Sequence, residues 1–402
     1  YFSPYHGSEF ERAHRISRNP SYGLFVHTAY TLVSPDKYGK EHPEYFALVD
    51  GRRRVPLNVD LTNPRNWAER ADQVGQLCWS RPELPDVVYA ELRERIRARP
   101  DARIWSVSQM DWGYNCECDA CRAIDTREGT PAGSMLTCVN AVADRLAAEH
   151  SDHYIETIAY TYTRKAPRRL RPRDNVIIRL CSIECDFARP LDDASNEANR
   201  LFAEDIRAWA RIAKTLYVWD YTPNFRLWQA PHPNFHVLQP NAAFFAANRV
   251  KGMFEQGCDI RGGEMAPLRT YVLAKCLWNP NADADALREA FVRLYDAEAA
   301  PFIEDYIRLL TEAVLASGLP MGCFDELRWV EPETIDKARD LFRRAVEAAH
   351  SDEIRNRVVE ASLPIELAAV TCPPRVEIAD GTFTLRRPPC MALEHLIRLF
   401  QS

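Results

Sequence analysis

Four acidic residues stand directly after apolar runs that we predict to be parallel strands: Asp111, Glu184, Asp220 and Glu255. The carboxyl ends of parallel strands gather at one edge of a sheet, where functional groups concentrate. Cleavage of a glycosidic bond needs a proton donor and a second group that stabilises an oxocarbenium-like transition state. We therefore predict that these carboxylates form a catalytic set, although any one of them could instead cap a helix or pair with an arginine.

Aromatic and polar side chains near these acids are predicted to bind a sugar, because sugar-binding clefts need flat apolar faces with polar edges. We expect His27 to donate a hydrogen bond to a sugar hydroxyl rather than to act as the acid. The predicted binding residues are His27, Tyr30, Trp112, Tyr160, Tyr162, Trp219, Tyr221, Trp228 and Gln256.

The densest local feature is a run of cysteines, Cys116, Cys118 and Cys121, which Cys78 can join from the preceding predicted strand. We call these four residues the cysteine cluster. Their spacing suits a structural zinc site with four thiolate ligands. In an oxidising compartment the same residues would form two disulfides instead, and free thiols are a third reading. We expect no cofactor to be required for catalysis itself.

Short β-branched and aromatic runs alternate with amphipathic helical stretches, a pattern typical of parallel βα units. The predicted strands are 23–27, 76–79, 103–109, 155–160, 175–181, 216–219 and 250–254, with an eighth at or before Tyr1. No glycine-rich phosphate loop follows any of these strands, which disfavours an open dinucleotide-binding sheet. The predicted fold class is therefore α/β, a (β/α)8 TIM barrel with a C-terminal helical appendage.

The chain divides after Pro280, where the predicted strands stop. We predict a catalytic barrel over residues 1–280 and a C-terminal helical region over 281–402, with a short hairpin around Asp380-Gly381. Within the barrel, apolar residues at helical spacing predict three helices, over the stretches 88–96, 135–146 and 202–209. Beyond it, the predicted helices are 286–294, 302–314 and 335–349, and the hairpin is 376–385.

Composition excludes several classes of partner. The formal net charge is -6 and the chain carries 46% hydrophobic residues, without a run of about 18 apolar residues. This balance argues against a nucleic-acid partner and predicts no membrane span. The 12 cysteines favour a secreted, periplasmic or cell-surface protein, whose targeting segment would lie outside a sequence that starts at Tyr1.

Several segments together resemble the bacterial domain of unknown function 4838, part of which is classed as glycoside hydrolase family 163. The likeness includes Trp219-Asp220-Tyr221 and Phe254-Glu255-Gln256, and it runs from about His27 to Tyr295. The segments that carry it are 25–28, 42–51, 106–112, 159–162, 180–185, 217–221 and 251–257.

This resemblance implies a barrel related to that of the hexosaminidases and an endo-β-N-acetylglucosaminidase that acts on complex N-glycans of glycoproteins. It also implies retention of configuration with help from the acetamido group of the substrate. For such a mechanism, the predicted places of the four acids at strand ends favour Glu184 or Glu255 as the proton donor and Asp220 or Asp111 as the carboxylate that orients the acetamido group. One departure concerns Asp111: many such enzymes carry an adjacent Asp-Glu pair, whereas Trp112 follows here.

Two other hypotheses remain open from the sequence. The segment 25–50 is also similar to bacterial α-glucuronidases, which implies a uronic-acid-directed exo-hydrolase with Arg179 and Arg261 available for the substrate carboxylate. A third hypothesis is a non-catalytic barrel that binds glycans through its aromatic residues.

Overall fold

The computed structural model describes residues 21–59, 69, 71–257 and 263–371, together with the backbone of a hairpin beyond them. The strands are β1 Tyr22–Leu24, β2 Leu48–Val49, β3 Arg52–Arg53, β4 Ile104–Ser106, β5 Tyr154–Ala159, β6 Val176–Cys181, β7 Thr215–Tyr221, β8 Val250–Gln256, β9 Arg375–Ala379 and β10 Thr382–Arg386. The helices are α1 Ala29–Leu32, α2 Pro35–Tyr38, α3 Leu84–Ala98, α4 Asp119–Glu128, α5 Ala132–Glu149, α6 Glu197–Ile212, α7 Phe235–Ala247, α8 Ala266–Trp278, α9 Ala284–Tyr295, α10 Ala300–Ser317, α11 Pro332–Ala348 and α12 Asp352–Thr371.

A curled sheet of six parallel strands organises the described part of the chain, in the order β1-β4-β5-β6-β7-β8. Its central strand β6 is buried at every position, as expected of a strand covered on both faces. The expected α/β class with parallel strands is confirmed. The closed eight-stranded barrel is wrong, because these six strands form a half-barrel.

The predicted strand at 76–79 explains part of this difference. Its backbone groups bond to loops rather than to a neighbouring strand: Ala47 N–H donates to the Gln76 carbonyl, and Gln76 N–H donates to the Tyr114 carbonyl. Leu77 forms only an isolated antiparallel bridge with Phe46. The sheet therefore passes directly from β1 to β4. The eighth predicted strand lies outside the described residues.

Helices cover the outer face of the sheet. The apolar stripes of α3, α5 and α6 are buried, including Leu92, Val139 and Phe202, and they share one core with Leu216 and Val218 of β7. Burying one such aliphatic side chain stabilises the fold by about 1.5–3 kcal/mol. The three helices predicted from these stripes are confirmed.

After β8 the described residues up to Thr371 form helices joined by loops. The predicted helices 286–294, 302–314 and 335–349 correspond to α9, α10 and α11, whereas α12 was missed. The antiparallel pairing of β9 with β10 confirms the predicted hairpin. Among the described residues, no helix combines the length and the apolar character needed to cross a membrane.

Candidate active site

Strand alternation assigns the side chains of β7 and β8 to two faces. Register pairs Trp219 with Phe254 and Asp220 with Glu255, so each pair lies on one face of the sheet. Trp219 and Phe254 contact each other on the inner face, with ring centroids 4.6 Å apart. Asp220 lies four residues after Leu216 on β7, so the two side chains point to the same face. Leu216 packs in one core with the covering helices, which makes this the outer face. The four predicted catalytic carboxylates consequently do not form one ring.

The inner face carries a continuous row of aromatic rings, which we call the aromatic wall: Phe25, Trp219, Tyr221, Phe225 and Trp228. Successive ring centroids in this order are 5.6, 6.2, 5.4 and 4.6 Å apart. The Trp219 indole N–H donates to the Gln256 side chain at 2.8 Å, which fixes the ring plane. The wall and its Gln256 partner thus include four of the predicted binding residues.

A buried polar group lies beside Phe25 of the aromatic wall, on the inner face of the half-barrel. Arg179 donates to the Glu156 carboxylate at 2.6 Å, and the Tyr22 hydroxyl donates to the same carboxylate. The Arg179 guanidinium also lies over the rings of Phe25 and Tyr217. Because Arg179 is already paired and is 3% exposed, it does not present a free cation to a uronic acid. Arg261, the other predicted uronate ligand, lies outside the described residues.

Asp111 lies at the open end of the half-barrel with a side chain that is 42% exposed. Its Oδ1 is 3.7 Å from Nε2 of His27, and the Tyr160 hydroxyl donates a hydrogen bond to it. Burial, and then the charge of Asp111, raise the pKa of Tyr160 well above its usual range. The ring of Tyr160 also contacts His27 edge to face at 6.0 Å. These three predicted residues therefore form one group, which we call the mouth.

Gln109 positions the mouth and was missed by the sequence analysis. His27 Nδ1 donates to the Gln109 carbonyl at 3.0 Å, and the Gln109 amide donates to the Tyr160 carbonyl at 3.0 Å. Its amide oxygen accepts from the Thr163 hydroxyl at 2.5 Å. His27 itself has φ of 55°, a left-handed conformation that is costly for a residue with a side chain. The signal for Gln109 was present, since it is the last residue of the predicted strand 103–109, which Asp111 follows closely.

Glu184 lies near the mouth, with a side chain that is 43% exposed. It forms an ion pair with Arg164, whose Nε also bonds Asp205 at 2.8 Å. The charge of Glu184 contributes to the raised pKa of Tyr160, after burial and Asp111. Asp111 and Glu184 are thus the two predicted catalytic residues that solvent reaches at this end of the sheet.

Asp220 and Glu255 form a buried pair on the outer face, 5% and 9% exposed. Burial raises the pKa of Asp220 to about 6, although it accepts hydrogen bonds from the Ser182 hydroxyl and the Tyr221 N–H. Burial and then the charge of Asp220 raise the pKa of Glu255 well above its usual range. Like charges on adjacent strands oppose double ionisation, so the pair retains a proton.

Two other predicted binding residues serve as braces. The Tyr30 hydroxyl and the Trp112 indole N–H both donate to the Gly75 carbonyl, at 2.6 and 2.8 Å. Burial raises the pKa of Tyr162, whose side chain lies near Cys121 and not at the mouth. At the far end of the aromatic wall, Trp228 lines a small internal cavity with His232 and Glu264.

The four sulfurs of the cysteine cluster lie within 4.8 Å of one another. None of the four is joined in a disulfide. They form a small core of their own with Ala47 and Val49, apart from the main core. The cluster lies at the base of the loop that carries Asp111.

Comparison with solved structures returns distant likenesses. A GH138 enzyme targeting pectin rhamnogalacturonan II aligns with 10% identity and a TM-score of 0.38 over 75% of this chain and 53% of its own. CpGH84D aligns with 10% identity and a TM-score of 0.32 over 88% of this chain and 60% of its own. The chain therefore spans between half and two thirds of the length of these proteins.

No curated protein matches the sequence. A family model described as a domain of unknown function, DUF4838, matches residues 2–308 of the 402. This match covers every strand of the half-barrel and all residues of the mouth. The chain therefore belongs to the DUF4838 family.

Proposed function

We propose that the protein is a retaining glycoside hydrolase that cleaves β-N-acetylglucosaminide bonds and releases complex N-glycans from glycoproteins. The observation that carries this proposal is the pair of exposed carboxylates, Asp111 and Glu184, beside the aromatic wall. The two carboxylates have different partners, a histidine for one and an arginine for the other. Unequal environments are what an acid and an accompanying carboxylate require.

The proton donor in this proposal is the Asp111–His27 unit. A carbonyl oxygen only accepts hydrogen bonds, so Nδ1 of His27 must carry the proton that it donates to Gln109. Nε2 then faces Asp111 across 3.7 Å, which is an ion-pair distance and longer than a hydrogen bond. In this proposal Asp111 is the member of the unit that carries the transferable proton. Catalytic hydrogen bonds are often long before a substrate binds and tighten afterwards. This unit donates its proton to the glycosidic oxygen as the bond breaks.

Glu184 is the carboxylate that orients the acetamido group of the substrate. Arg164 compensates its negative charge and fixes its direction. The acetamido N–H donates to Glu184 while the acetamido oxygen attacks the anomeric carbon, and the leaving oxygen takes the proton from the Asp111 unit. Water then opens the resulting oxazolinium ring, so configuration is retained. These roles reverse those expected for Asp111 and Glu184 from their predicted places at strand ends.

Asp220 and Glu255 are positioning residues in this proposal, because both are buried on the face opposite the aromatic wall. The strand ends on which they lie also carry Trp219 and Gln256. The substrate class fits the wall, since Phe25 and Trp219 keep part of their flat apolar surface exposed, as sugar binding requires. A glycoprotein substrate agrees with a secreted, periplasmic or cell-surface location, which we propose together with the activity.

The activity is tested with a biantennary glycoprotein and with an aryl β-N-acetylglucosaminide that has a good leaving group. Asp111→Asn should lower glycan release by about 10² to 10⁴-fold, because a general acid is lost. It should retain most of its activity on the aryl substrate, whose leaving group needs no proton. Glu184→Gln should lose activity on both substrates, because the attack by the acetamido group is impaired.

Matched controls make the same chemical changes elsewhere. Asp144→Asn and Glu204→Gln alter exposed ion pairs with Arg173 and Arg200 and should leave both activities unchanged. Absence of glycan release by the wild-type protein would overturn the proposed activity. Binding of glycan without cleavage would favour the non-catalytic reading. Release at the wild-type rate by both Asp111→Asn and Glu184→Gln would show that the chemistry lies elsewhere.

A further inference from the structure

The cysteine cluster has the dimensions of a metal site. Four sulfurs about 2.3 Å from a central Zn²⁺ lie about 3.8 Å from one another in a tetrahedron. Here Sγ of Cys78 lies 3.5 Å from Sγ of Cys118 and 3.9 Å from Sγ of Cys121. Two disulfides would instead place the sulfurs in two separate pairs of about 2.05 Å each. Sγ of Cys78 is therefore not paired with one particular sulfur, as expected when all four sulfurs bind the same metal ion.

Hydrogen-bond donors and one cation surround the sulfurs of the cysteine cluster. The backbone N–H of Leu48 donates to Sγ of Cys116 at 3.3 Å, and the Arg53 guanidinium lies 3.7 Å from the same sulfur. The Ser80 hydroxyl is 3.1 Å from Sγ of Cys121. Such hydrogen bonds and a nearby cation offset the negative charge of four thiolates around a divalent ion. These contacts arise from β2, β3 and the segment after Leu77, so they are not local to one loop.

The local core is too small to hold these segments together by burial alone. Beside the cysteines, its buried members are Ala47 and Val49. Small units of this kind are commonly stabilised by a metal or by disulfides. A metal would join the Cys78 segment to the loop after Asp111 and the start of α4, and the β2–β3 hairpin would contact one ligand, Cys116, through Leu48 and Arg53.

We propose that the cysteine cluster binds one Zn²⁺ as a closed structural site that holds the loop bearing Asp111. All four positions of the tetrahedron are thiolates, so no position remains for a substrate or a catalytic water. Soft thiolates select zinc over hard cations such as Mg²⁺ and Ca²⁺.

The cysteine cluster is linked to the mouth through Gln76, which lies close to Cys78 in the sequence. Gln76 lies two residues before Cys78, and its amide donates to the carbonyls of Met110 and Trp112 at 3.1 and 2.6 Å. Asp111 lies between these two residues. The metal therefore fixes the backbone on both sides of a proposed catalytic residue. This positioning role rests on the proposed function, whereas the metal site does not.

The first test measures metal content in the tag-free full-length chain. Elemental analysis should find about one zinc per wild-type chain, and reconstitution with Co²⁺ should give the absorption bands of tetrahedral thiolate coordination. Cys121→Ser should lose most of the bound zinc. Cys138→Ser is the matched control, because Cys138 is equally buried but lies in α5 outside the cluster, and it should keep the zinc.

A second measurement covers the case in which Cys121→Ser does not fold. A mercurial reagent added to the folded wild-type protein should release zinc as the cluster thiols react, which a metal-sensitive dye records. Zinc-free protein with two disulfides in its non-reduced peptides, iron in place of zinc, or full zinc retention in Cys121→Ser would each overturn the proposal. Zinc content and glycan release are measured separately. Zinc without hydrolysis therefore contradicts only the proposed activity, and hydrolysis without zinc contradicts only the metal site.

Discussion

On β7 and β8, neighbouring residues of one strand have different roles because their side chains point to opposite faces of the sheet. Trp219 faces the interior of the half-barrel, while its neighbour Asp220 lies behind the sheet with Glu255. Glu255 Oε2 has no hydrogen-bond partner among the described residues. A buried carboxyl of this kind is less costly when protonated, which is why its pKa rises.

Stability should depend on pH through this pair. Its pKa values are raised in the folded protein, so the stabilisation is complete below the unfolded value near 4 and is lost as pH rises through about 6 and above. Glu255→Gln keeps the shape but cannot ionise. We expect the free energy of unfolding of the wild-type protein to fall between pH 5 and pH 8 by up to about 3 kcal/mol more than that of the variant.

Urea unfolding at several pH values measures this difference. Glu333→Gln makes the same change on the exposed first turn of α11 and should follow the wild-type curve. Parallel curves for Glu255→Gln and the wild-type protein would contradict the assignment of a proton to the buried pair.

The sequence predicted which residues form the mouth more accurately than it predicted the directions in which the strand-end carboxylates point. His27, Asp111 and Tyr160 were all expected at strand ends and do meet there. The outward direction of Asp220 was not expected, because the rule that strand-end residues face the mouth ignores alternation, and Leu216 and Val218 already marked that parity as outward. The ion pair of Glu184 with Arg164 had no sequence signal, since it depends on how two loops approach.

Elements differ in how far their own sequence determines them. The helices α5 and α6 follow from an apolar stripe at helical spacing, which local sequence contains in full. The run 76–79 has the apolar character of a strand, yet its partners are loops that come from residues 45–47 and 114. Strand pairing is non-local, so the character of one run cannot establish it.

Gln76 gives a test of how this element supports the mouth. Gln76→Ala removes a buried amide whose donors satisfy loop carbonyls on both sides of Asp111. We expect a loss of about 1–3 kcal/mol in the free energy of unfolding. Glycan release should fall through kcat, because the proposed acid is displaced while the aromatic wall remains.

Gln239→Ala is the control for this experiment, because its amide also donates to a carbonyl, that of Pro280, but on α7 away from the mouth. It should leave kcat unchanged. A kcat for Gln76→Ala equal to that of the wild-type protein would separate the loop from the chemistry. Denaturant unfolding and steady-state kinetics on the same preparations give both readings.

At the scale of the whole molecule, the helical region and the half-barrel share one core, which includes Leu310 of α10 and Leu216 of β7. The segment 318–330 after α10 returns over the ends of β6 and β7. Phe187 N–H donates to the Met321 carbonyl at 2.9 Å, and Phe225 N–H donates to the Cys323 carbonyl at 2.6 Å. The helical region thus covers the sheet beside the candidate site.

Asp186 is the main polar link in this contact. Its carboxylate accepts from Met321 N–H at 2.9 Å and pairs with Arg189 at 2.6 Å, while the residue is 2% exposed. Asp186→Ala should destabilise the protein by about 3 kcal/mol or more, because Arg189 and several N–H groups lose their acceptor. Limited proteolysis should then cut within 318–330 before it cuts elsewhere.

Asp193→Ala is the matched control, since its carboxylate accepts from Ser195 on the surface. It should change neither the stability nor the cleavage pattern by a measurable amount. Equal protease resistance of Asp186→Ala and the wild-type protein would show that the segment is held by other contacts.

The group formed by Tyr22, Glu156 and Arg179 joins three strands, β1, β5 and β6, inside the half-barrel. Glu156 and Arg179 are 0% and 3% exposed, and their opposite charges offset each other. Removal of one partner alone would leave the other charge buried and unpaired, which is commonly more costly than replacement of both. The two positions should therefore change together, and not singly, among proteins that share this half-barrel.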